Sequence, residues 1–377
     1  MNDIVYNSGM QLTVKIKLLP DAAQKAVLLR TMEAFNAAAT MAARSGFERS
    51  VFSQPSIHRL CYYTIRESYG LNAQLSVRAI GKAVECFKRD KSICPQFKPR
   101  SAIIYDERIM RFKGLTHVSL SSLEGRLVIP MVVAGYQQER LQAAIKTGQA
   151  DLVYVQGTFY LLVSIQIEAA PARQAADVIG VDLGVARIAV DSEGNAYTGD
   201  DVERYRVKTQ RMRDVLQRCG TRSAKRHLKR ISRKESNYRR ARNHQISRRI
   251  VDLAKERNSA IALEDLKGIA KRTRFRKNQR ARMTGWAFHQ LRAFIAYKAE
   301  LIGVPLILID PRNTSRTCNR CGHCEKANRK NQSDFECQSC GHTVNADLNA
   351  SRNIRDKGRI NWPIVTNVDS RALAATS

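Results

Sequence analysis

Two short cysteine pairs constrain this chain more than any other feature. Cys318 and Cys321 are two residues apart, as are Cys337 and Cys340, and fifteen residues separate the pairs. Each pair places two thiolates on one tight turn. Two such knuckles complete a closed tetrahedral zinc site of four thiolates, with no open position for a catalytic water. Gly322 and Gly341 follow the knuckles as turn residues. A ribbon of about twenty-five residues cannot hold a core alone, so the metal must fold it. His323, Cys324 and His342 are close enough to compete as ligands and are expected to be bystanders. The total of nine cysteines is odd, five of them fall in this segment, and MNDIVYNSGM has no basic region followed by an apolar one. That pattern points to a reducing, intracellular setting and a metal site rather than a disulfide frame.

Charge narrows the partners. Lys+Arg total 64 against 34 Asp+Glu, a net +30 over 377 residues. Self-repulsion on that scale calls for a polyanionic partner. The charge is concentrated. Residues 222–249 hold twelve Lys/Arg and one acid, Glu235, and residues 271–282 hold seven and no acid. A solvated helix face would carry acids for i,i+4 pairing, and here they are missing. Arg222, Lys225, Arg226, Lys229, Arg230, Arg233, Lys234, Lys271, Arg272, Arg274, Arg276 and Lys277 are therefore expected to meet nucleic-acid phosphates. Tyr238 and Phe275 are interleaved with them but are too few to argue base stacking. No run of 18 apolar residues is present, which excludes a helical membrane span.

Periodicity divides the chain. QLTVKIKL at 11–18 alternates as a strand, and Asp21 with Gln24 forms a capping box for a helix bearing Val27, Leu28, Met32, Phe35 and Ala39. Helical spacing continues to about Arg89, with Ile80, Val84 and Phe87 on one side of Ser76–Lys88. From 101 to 169 short strands take over, with turns at Gly125 and Gly157. The expectation is a small β-barrel, completed by the strand at 11–18 and interrupted by the helical insert. After EAAPARQAA the second half opens with VIGVDLGVARIAV and a turn at DSEGN. A long polar helix is expected over Val202–Asn258, a buried strand over Ala260–Leu263, a helix over Thr284–Gly303, a strand over Val304–Ile309, and a short helix at Ala346–Arg355.

Three carboxylates have telling positions. Asp182 lies inside the apolar strand IGVDLGV, Glu264 ends IALE, and Asp347 begins the last helix. A lone acid in an apolar strand is costly unless paired or metal-bound. Acids at two strand ends and one helix start suit a cluster holding Mg2+ or Mn2+, and two such ions serve phosphodiester hydrolysis. The bland alternative is pairing with nearby arginines. Strand–turn–strand around Asp182, then helix, strand, helix and strand, is the order of an RNase H-like fold. Asp191, Asp265 and Asp310 are weaker candidates, read as turn or surface residues.

With these residues in place, the chain resembles the TnpB family of transposon-encoded RNA-guided DNA nucleases, relatives of the compact type V CRISPR effectors. The resemblance is carried by VIGVDLG at 178–184, LEDLKGI at 263–269, the segment 286–323, FECQSCG at 335–341 and NADLNASRNI at 345–354. LLPDAAQ at 18–24, CFKRD at 86–90 and GRLVIP at 125–130 add looser matches. The family's usual ending has DRD where this chain has Asn345-Ala346-Asp347, which changes a neighbour and spares the acid.

The resemblance implies an α+β multidomain fold. It places a split wedge β-barrel at 1–19 and 97–170, a helical recognition insert at 20–96 and a linker at 171–176. A RuvC-like, RNase H-like nuclease domain follows at 177–315 and 343–356, with the zinc ribbon inserted at 316–342 and a tail from 357 to 377. It assigns Asp182, Glu264 and Asp347 as catalytic ligands of two Mg2+ ions, and the four knuckle cysteines to one structural Zn2+. It further implies a guide RNA derived from the transposon end, double-stranded target DNA read beside a short flanking motif, a single site cutting both strands, and a monomeric ribonucleoprotein in a prokaryotic cytoplasm, associated with the nucleoid. Rival readings are a guided DNA-binding regulator that does not cut, an effector whose guide comes from a CRISPR array, and an unguided resolvase or transposase.

Overall fold

The computed structural model describes residues 9–184, 187–198, 200–265, 288–331 and 333–361. The chain divides into two units, one ending at Glu168 and one beginning at Ala169. No described helix is long and apolar enough to cross a membrane.

The first unit is built on a seven-stranded antiparallel sheet. Its strands are β1 (Gly9–Leu18), β2 (Ile103–Tyr105), β3 (Met110–Lys113), β4 (His117–Ser122), β5 (Gly125–Val132), β6 (Ala144–Val155) and β7 (Thr158–Glu168), in the order β2-β6-β7-β1-β5-β4-β3. β1 buries Met10, Val14, Ile16 and Leu18 and exposes Lys15 and Lys17, the alternation of a strand with one face on a core. The sheet curls until its edges nearly meet. Tyr105 of β2 is fully buried, and its hydroxyl donates to Ser121 O of β4 at 2.8 Å. Between β1 and β2 the chain inserts α1 (Ala22–Glu48), α2 (Gln54–Tyr69) and α3 (Ala73–Arg89). The Asp21–Gln24 capping box opens α1 as its sequence dictates. Val27, Leu28, Met32, Phe35 and Ala39 are all buried, as are Ile80, Val84 and Phe87 of α3. The periodicity did not reveal the short strands β2 and β3 or the polar helix α4 (Gly135–Gln142), which buries none of its residues.

The second unit has a five-stranded sheet. Its strands are β8 (Asp177–Asp182), β9 (Arg187–Asp191), β10 (Ala196–Thr198), β11 (Ser259–Glu264) and β12 (Leu306–Ile309), ordered β10-β9-β8-β11-β12. The first three form an antiparallel meander, and β11 and β12 run parallel to β8. Among the described residues its helices are α5 (Asp200–Cys219), α6 (Arg222–Glu256), α7 (Phe288–Leu301) and α8 (Ala346–Asn361). The long polar helix expected over Val202–Asn258 is thus two helices, broken at Gly220, whose φ of +63° only glycine adopts without strain. The last helix runs six residues past the expected Arg355, so residues 357–361, expected in a tail, are helical.

Parity sorts the two faces of this sheet. Ile179, Val181, Ile261 and Leu263 pack on Ile246 and Ile250 of α6 and Leu291 and Ile295 of α7. Val178, Ala260, Ala262, Ile307 and Ile309 pack on Ile354 of α8. Gly180 and Gly358 bring α8 down onto its face. A Cβ at Gly180 would lie 2.1 Å from Ser351 O, and one at Gly358 would lie 2.8 Å from the Ala262 Cβ.

Candidate active site and metal centre

Asp182 and Glu264 share the parity of Val178, Gly180, Ala260 and Ala262, so both belong to the α8 face at the carboxyl ends of adjacent parallel strands. Asp347 lies in the first turn of α8 and is 6% exposed. Asn345 Oδ1 accepts from the Asp347 and Leu348 amides at 3.2 and 3.4 Å and so starts the helix there.

The three acids sense one another. Burial pushes the Asp182 carboxyl up to about 8, and the charges of Glu264 and Asp347 push it the same way, against Arg329 and the Leu183 amide. Burial also raises Glu264, opposed by the Thr314 hydroxyl, Lys357 and Arg329, with Asp310 adding to the rise. Thr314 Oγ1 donates to Glu264 Oε1 at 2.5 Å, and Arg329 Nη2 stands 3.6 Å from Asp347 Oδ1. Arg329 and Thr314 were missed in the sequence. Arg329 is one basic residue among several in the ribbon, and nothing in its spacing says that the ribbon turns it toward carboxylates far away on the chain.

Of the weaker candidates, Asp265 and Asp191 separate from this cluster, and Asp310 acts on it through its charge on Glu264. Asp265 has the opposite parity to Glu264 and accepts from Arg292 of α7 at 2.9 Å. Asp191 is fully buried and organises its own turn, accepting from the amides of Glu193 and Asn195, the Asn195 side chain and the Tyr197 hydroxyl. Asp310 is exposed and accepts from the Arg312 amide.

The four knuckle cysteines form the second centre. Among the described residues they are the group whose metal-ligating atoms all lie within 4.8 Å of one another; the carboxylates are spread more widely. Cys318 and Cys340 Sγ are 3.8 Å apart, and Cys321 and Cys337 Sγ are 3.5 Å apart. Zn–S bonds of about 2.3 Å in a tetrahedron set sulfurs roughly 3.8 Å apart, so these spacings suit zinc. The knuckles are built alike. The Cys318 and Cys337 amides donate to His323 O and His342 O, and the Gly322 and Gly341 amides return to Cys318 O and Cys337 O. Both glycines have positive φ, +77° and +66°. Buried Asn328 ties the knuckles together, donating to Arg316 O and His323 O and accepting from the Gln338 amide. β13 (Asp334–Glu336) pairs with β14 (Thr343–Asn345) beneath buried Phe335. Cys324 is exposed and outside the thiol group.

The basic stretch at 222–249 lies on α6. Arg222, Lys225, Arg226, Lys229, Arg230, Arg233 and Lys234 recur at helical spacing and are all exposed, while Ala224, Ile231 and Glu235 are buried on the opposite side. None of the seven is in an ion pair among the described residues. α5 lies alongside α6, with Arg213 on Glu235 at 2.7 Å and Tyr205 stacked on Tyr238 at 4.9 Å. Tyr238 therefore serves the hairpin, its hydroxyl donating to Asp201. Lys271, Arg272, Arg274, Phe275, Arg276 and Lys277 lie outside the described residues.

Comparison with known proteins adds names to this geometry. Residues 161–276 match the family model described as "Probable transposase", and residues 288–354 match the "Cas12f1-like, TNB domain" model. The chain is 29% identical over 356 residues to a CRISPR-associated endodeoxyribonuclease Cas12f1 of Sulfoacidibacillus thermotolerans, spanning 81% of this chain and 82% of that protein. It is 27% identical over 319 residues to the putative RNA-guided DNA endonuclease InsQ of Escherichia coli K12, spanning 78% and 76%. A Cas12f1 chain solved with sgRNA and target DNA superimposes with a TM-score of 0.61 at 13% identity, covering 92% of this chain and 99% of that one, a likeness of fold. By its motifs and its matches, the chain is similar to TnpB-like proteins and to the compact Cas12f endodeoxyribonucleases.

Proposed function

We propose that the chain is an RNA-guided DNA endonuclease of a transposable element, cutting at one divalent-metal site made by Asp182, Glu264 and Asp347. The observation that supports it most is the convergence of these acids on the α8 face, where burial and mutual charge raise Asp182 to about 8. Relatives named as an RNA-guided DNA endonuclease and an endodeoxyribonuclease agree with it. In this reading the second unit is an RNase H-like RuvC domain with the ribbon inserted before its last segment. The first is a wedge barrel with α1–α3 as the recognition insert.

The donor sets fit two kinds of metal. Hard carboxylate oxygens suit Mg2+ or Mn2+, and a bound cation lets all three acids ionise together. Four thiols at tetrahedral spacing suit zinc. Bound divalent ions supply a Lewis acid for the scissile phosphate and acidify the attacking water. The protein does the rest. Thr314 orients Glu264, and Arg329 adds positive charge beside Asp347, where negative charge develops on a cleaved phosphodiester. The α6 stripe holds the nucleic-acid backbone without reading sequence.

The test is cleavage of a plasmid carrying target and flanking motif by the protein with its copurified RNA, with gel-shift binding in parallel. Asp182→Ala should lower cutting by about a thousandfold or more, since ligands acting as a unit fail together. Guided binding should persist, because pairing and backbone contacts supply it. Full cutting by Asp182→Ala in Mg2+ would refute the assignment. Relatives of both the transposon and the CRISPR kind match over similar shares of the chain. Sequencing the copurified RNA separates a transposon-end guide from an array-derived one.

A further inference from the structure

The segment 313–319 connects the two metal centres. At one end Thr314, 2% exposed, donates its single hydroxyl proton to Glu264 Oε1 at 2.5 Å, the closer of two acceptors; Pro311 O is at 2.9 Å. At the other end is the knuckle residue Cys318, also buried. Two amides of α8 clamp what lies between. Asn353 Nδ2 donates to Thr314 O at 2.8 Å and to Thr317 O at 2.7 Å. Asn349 Nδ2 donates to Thr317 O at 2.8 Å, and its Oδ1 accepts from the Asn319 amide at 3.0 Å. Thr317 O thus has both lone pairs filled by side chains one helical turn apart. Asn349 is fully buried and Asn353 is 7% exposed. Such amides are kept in a core only where every donor is used.

The helix that presents Asp347 therefore also grips the segment that orients Glu264, and the same segment enters the zinc ribbon. The geometry points to Thr314 as a positioning residue for the Glu264 carboxylate, with Asn349 and Asn353 transmitting the order of the zinc ribbon to it. The inference rests on the nuclease reading above. A carboxylate that binds metal must present one oxygen in a fixed direction, and a hydrogen bond to the other oxygen does that. The ribbon in this view is more than a self-contained metal fold: its order is needed for the carboxylates to bind metal at full affinity.

The experiment uses the full-length protein with its copurified RNA. Mn2+ binding is measured by electron paramagnetic resonance, alongside cleavage, guided DNA binding and zinc content. Thr314→Val keeps the shape and removes the hydroxyl, and should weaken Mn2+ binding and cutting roughly tenfold, the usual scale for losing a group that supports a ligand. Zinc content and guided binding should hold. Thr314→Ser, which keeps the hydroxyl, should restore both Mn2+ affinity and cutting. Asn353→Leu should weaken Mn2+ binding in the same direction with zinc retained. Wild-type Mn2+ affinity in Thr314→Val would overturn the inference, as would equal impairment in Thr314→Ser, because packing of the methyl would then be the cause. Failure of the wild-type complex to bind Mn2+ or to cut would instead overturn the nuclease reading itself.

Discussion

Arg329 reaches Asp347 from the cysteine ribbon, its Nη2 3.6 Å from the Asp347 Oδ1, and its charge lowers the pKa of both Asp182 and Glu264. The ribbon is therefore part of the electrostatics of the carboxylate cluster. Without Arg329, three acids face one another with less compensation, and they ionise less readily. Arg329→Ala should reduce cutting about 10- to 100-fold and change the Mg2+ needed for half-maximal rate. Arg329→Lys should recover part of the rate, since charge is kept and planar geometry lost. Cleavage rates across a Mg2+ titration check both. An unchanged Mg2+ dependence in Arg329→Ala would remove Arg329 from the site.

The raised pKa of Asp182 has a consequence for metal-free stability. Its folded value, about 8, lies above the unfolded carboxylate value. The folded protein therefore holds a proton that the unfolded chain releases. Stability linked to this group is complete at low pH and is lost as pH rises through about 8. In EDTA, Asp182→Asn should be more stable than the parent at pH 8, by on the order of 1–3 kcal/mol, and the gap should close toward pH 5. In Mg2+ the order should reverse, because the parent gains ligand binding that the variant loses. Thermal melts at both pH values, with and without Mg2+, read this directly. A gap that does not vary with pH would mean that Asp182 does not carry the shift.

Much of this site was legible from residue order, for a physical reason. Strand periodicity fixes which side chains share a face, so Asp182 and Glu264 could be placed together and Asp265 set apart. The knuckle cysteines were legible because zinc tolerates few spacings. What periodicity does not carry is contact across the chain. Arg329, Thr314, Asn349 and Asn353 act through hydrogen bonds and charge between segments far apart in sequence. Gly180 lies where a Cβ would strike the backbone of α8, a close approach that no period in its strand announces. The break at Gly220 was hidden because the polar sequences on either side of it are both helical. β2 and β3, with three and four residues, are too short to show a period.

The zinc assignment is open to a contrast between two cysteines of the ribbon. Cys318 is buried within the thiol group, and Cys324 is exposed outside it. The protein should carry about one zinc per chain without added metal, as a closed site of four thiolates requires. Cys318→Ser or Cys340→Ser should release it and unfold the ribbon, since structural zinc contributes on the order of 10 kcal/mol to small modules. Cutting should fall with it, because Arg329 and Thr314 depend on that fold. Cys324→Ser should keep its zinc. Metal analysis of the purified variants decides, and the opposite pattern of loss and retention would overturn the ligand set.

The α6 stripe can be separated from a merely solvated face by its salt dependence. Arg226, Lys229, Arg230 and Arg233 are exposed at helical spacing opposite the buried Ala224, Ile231 and Glu235. Changing these four to Gln leaves the packed side of the α5–α6 hairpin intact, including the Arg213–Glu235 pair. If they hold phosphates, each lost contact removes one site of counterion release. The slope of log affinity against log salt should then flatten by about 0.7–0.9 per contact, the lower figure for single strands. Affinity for the copurified RNA should fall most at low salt, where electrostatic binding is strongest. Choice of DNA target should not change, since backbone contacts carry no sequence information. Filter binding across a salt series, with a panel of target sequences, measures all three. The same slope and affinity in the quadruple variant would show that the stripe faces only water, and a changed target preference would show that it reads bases.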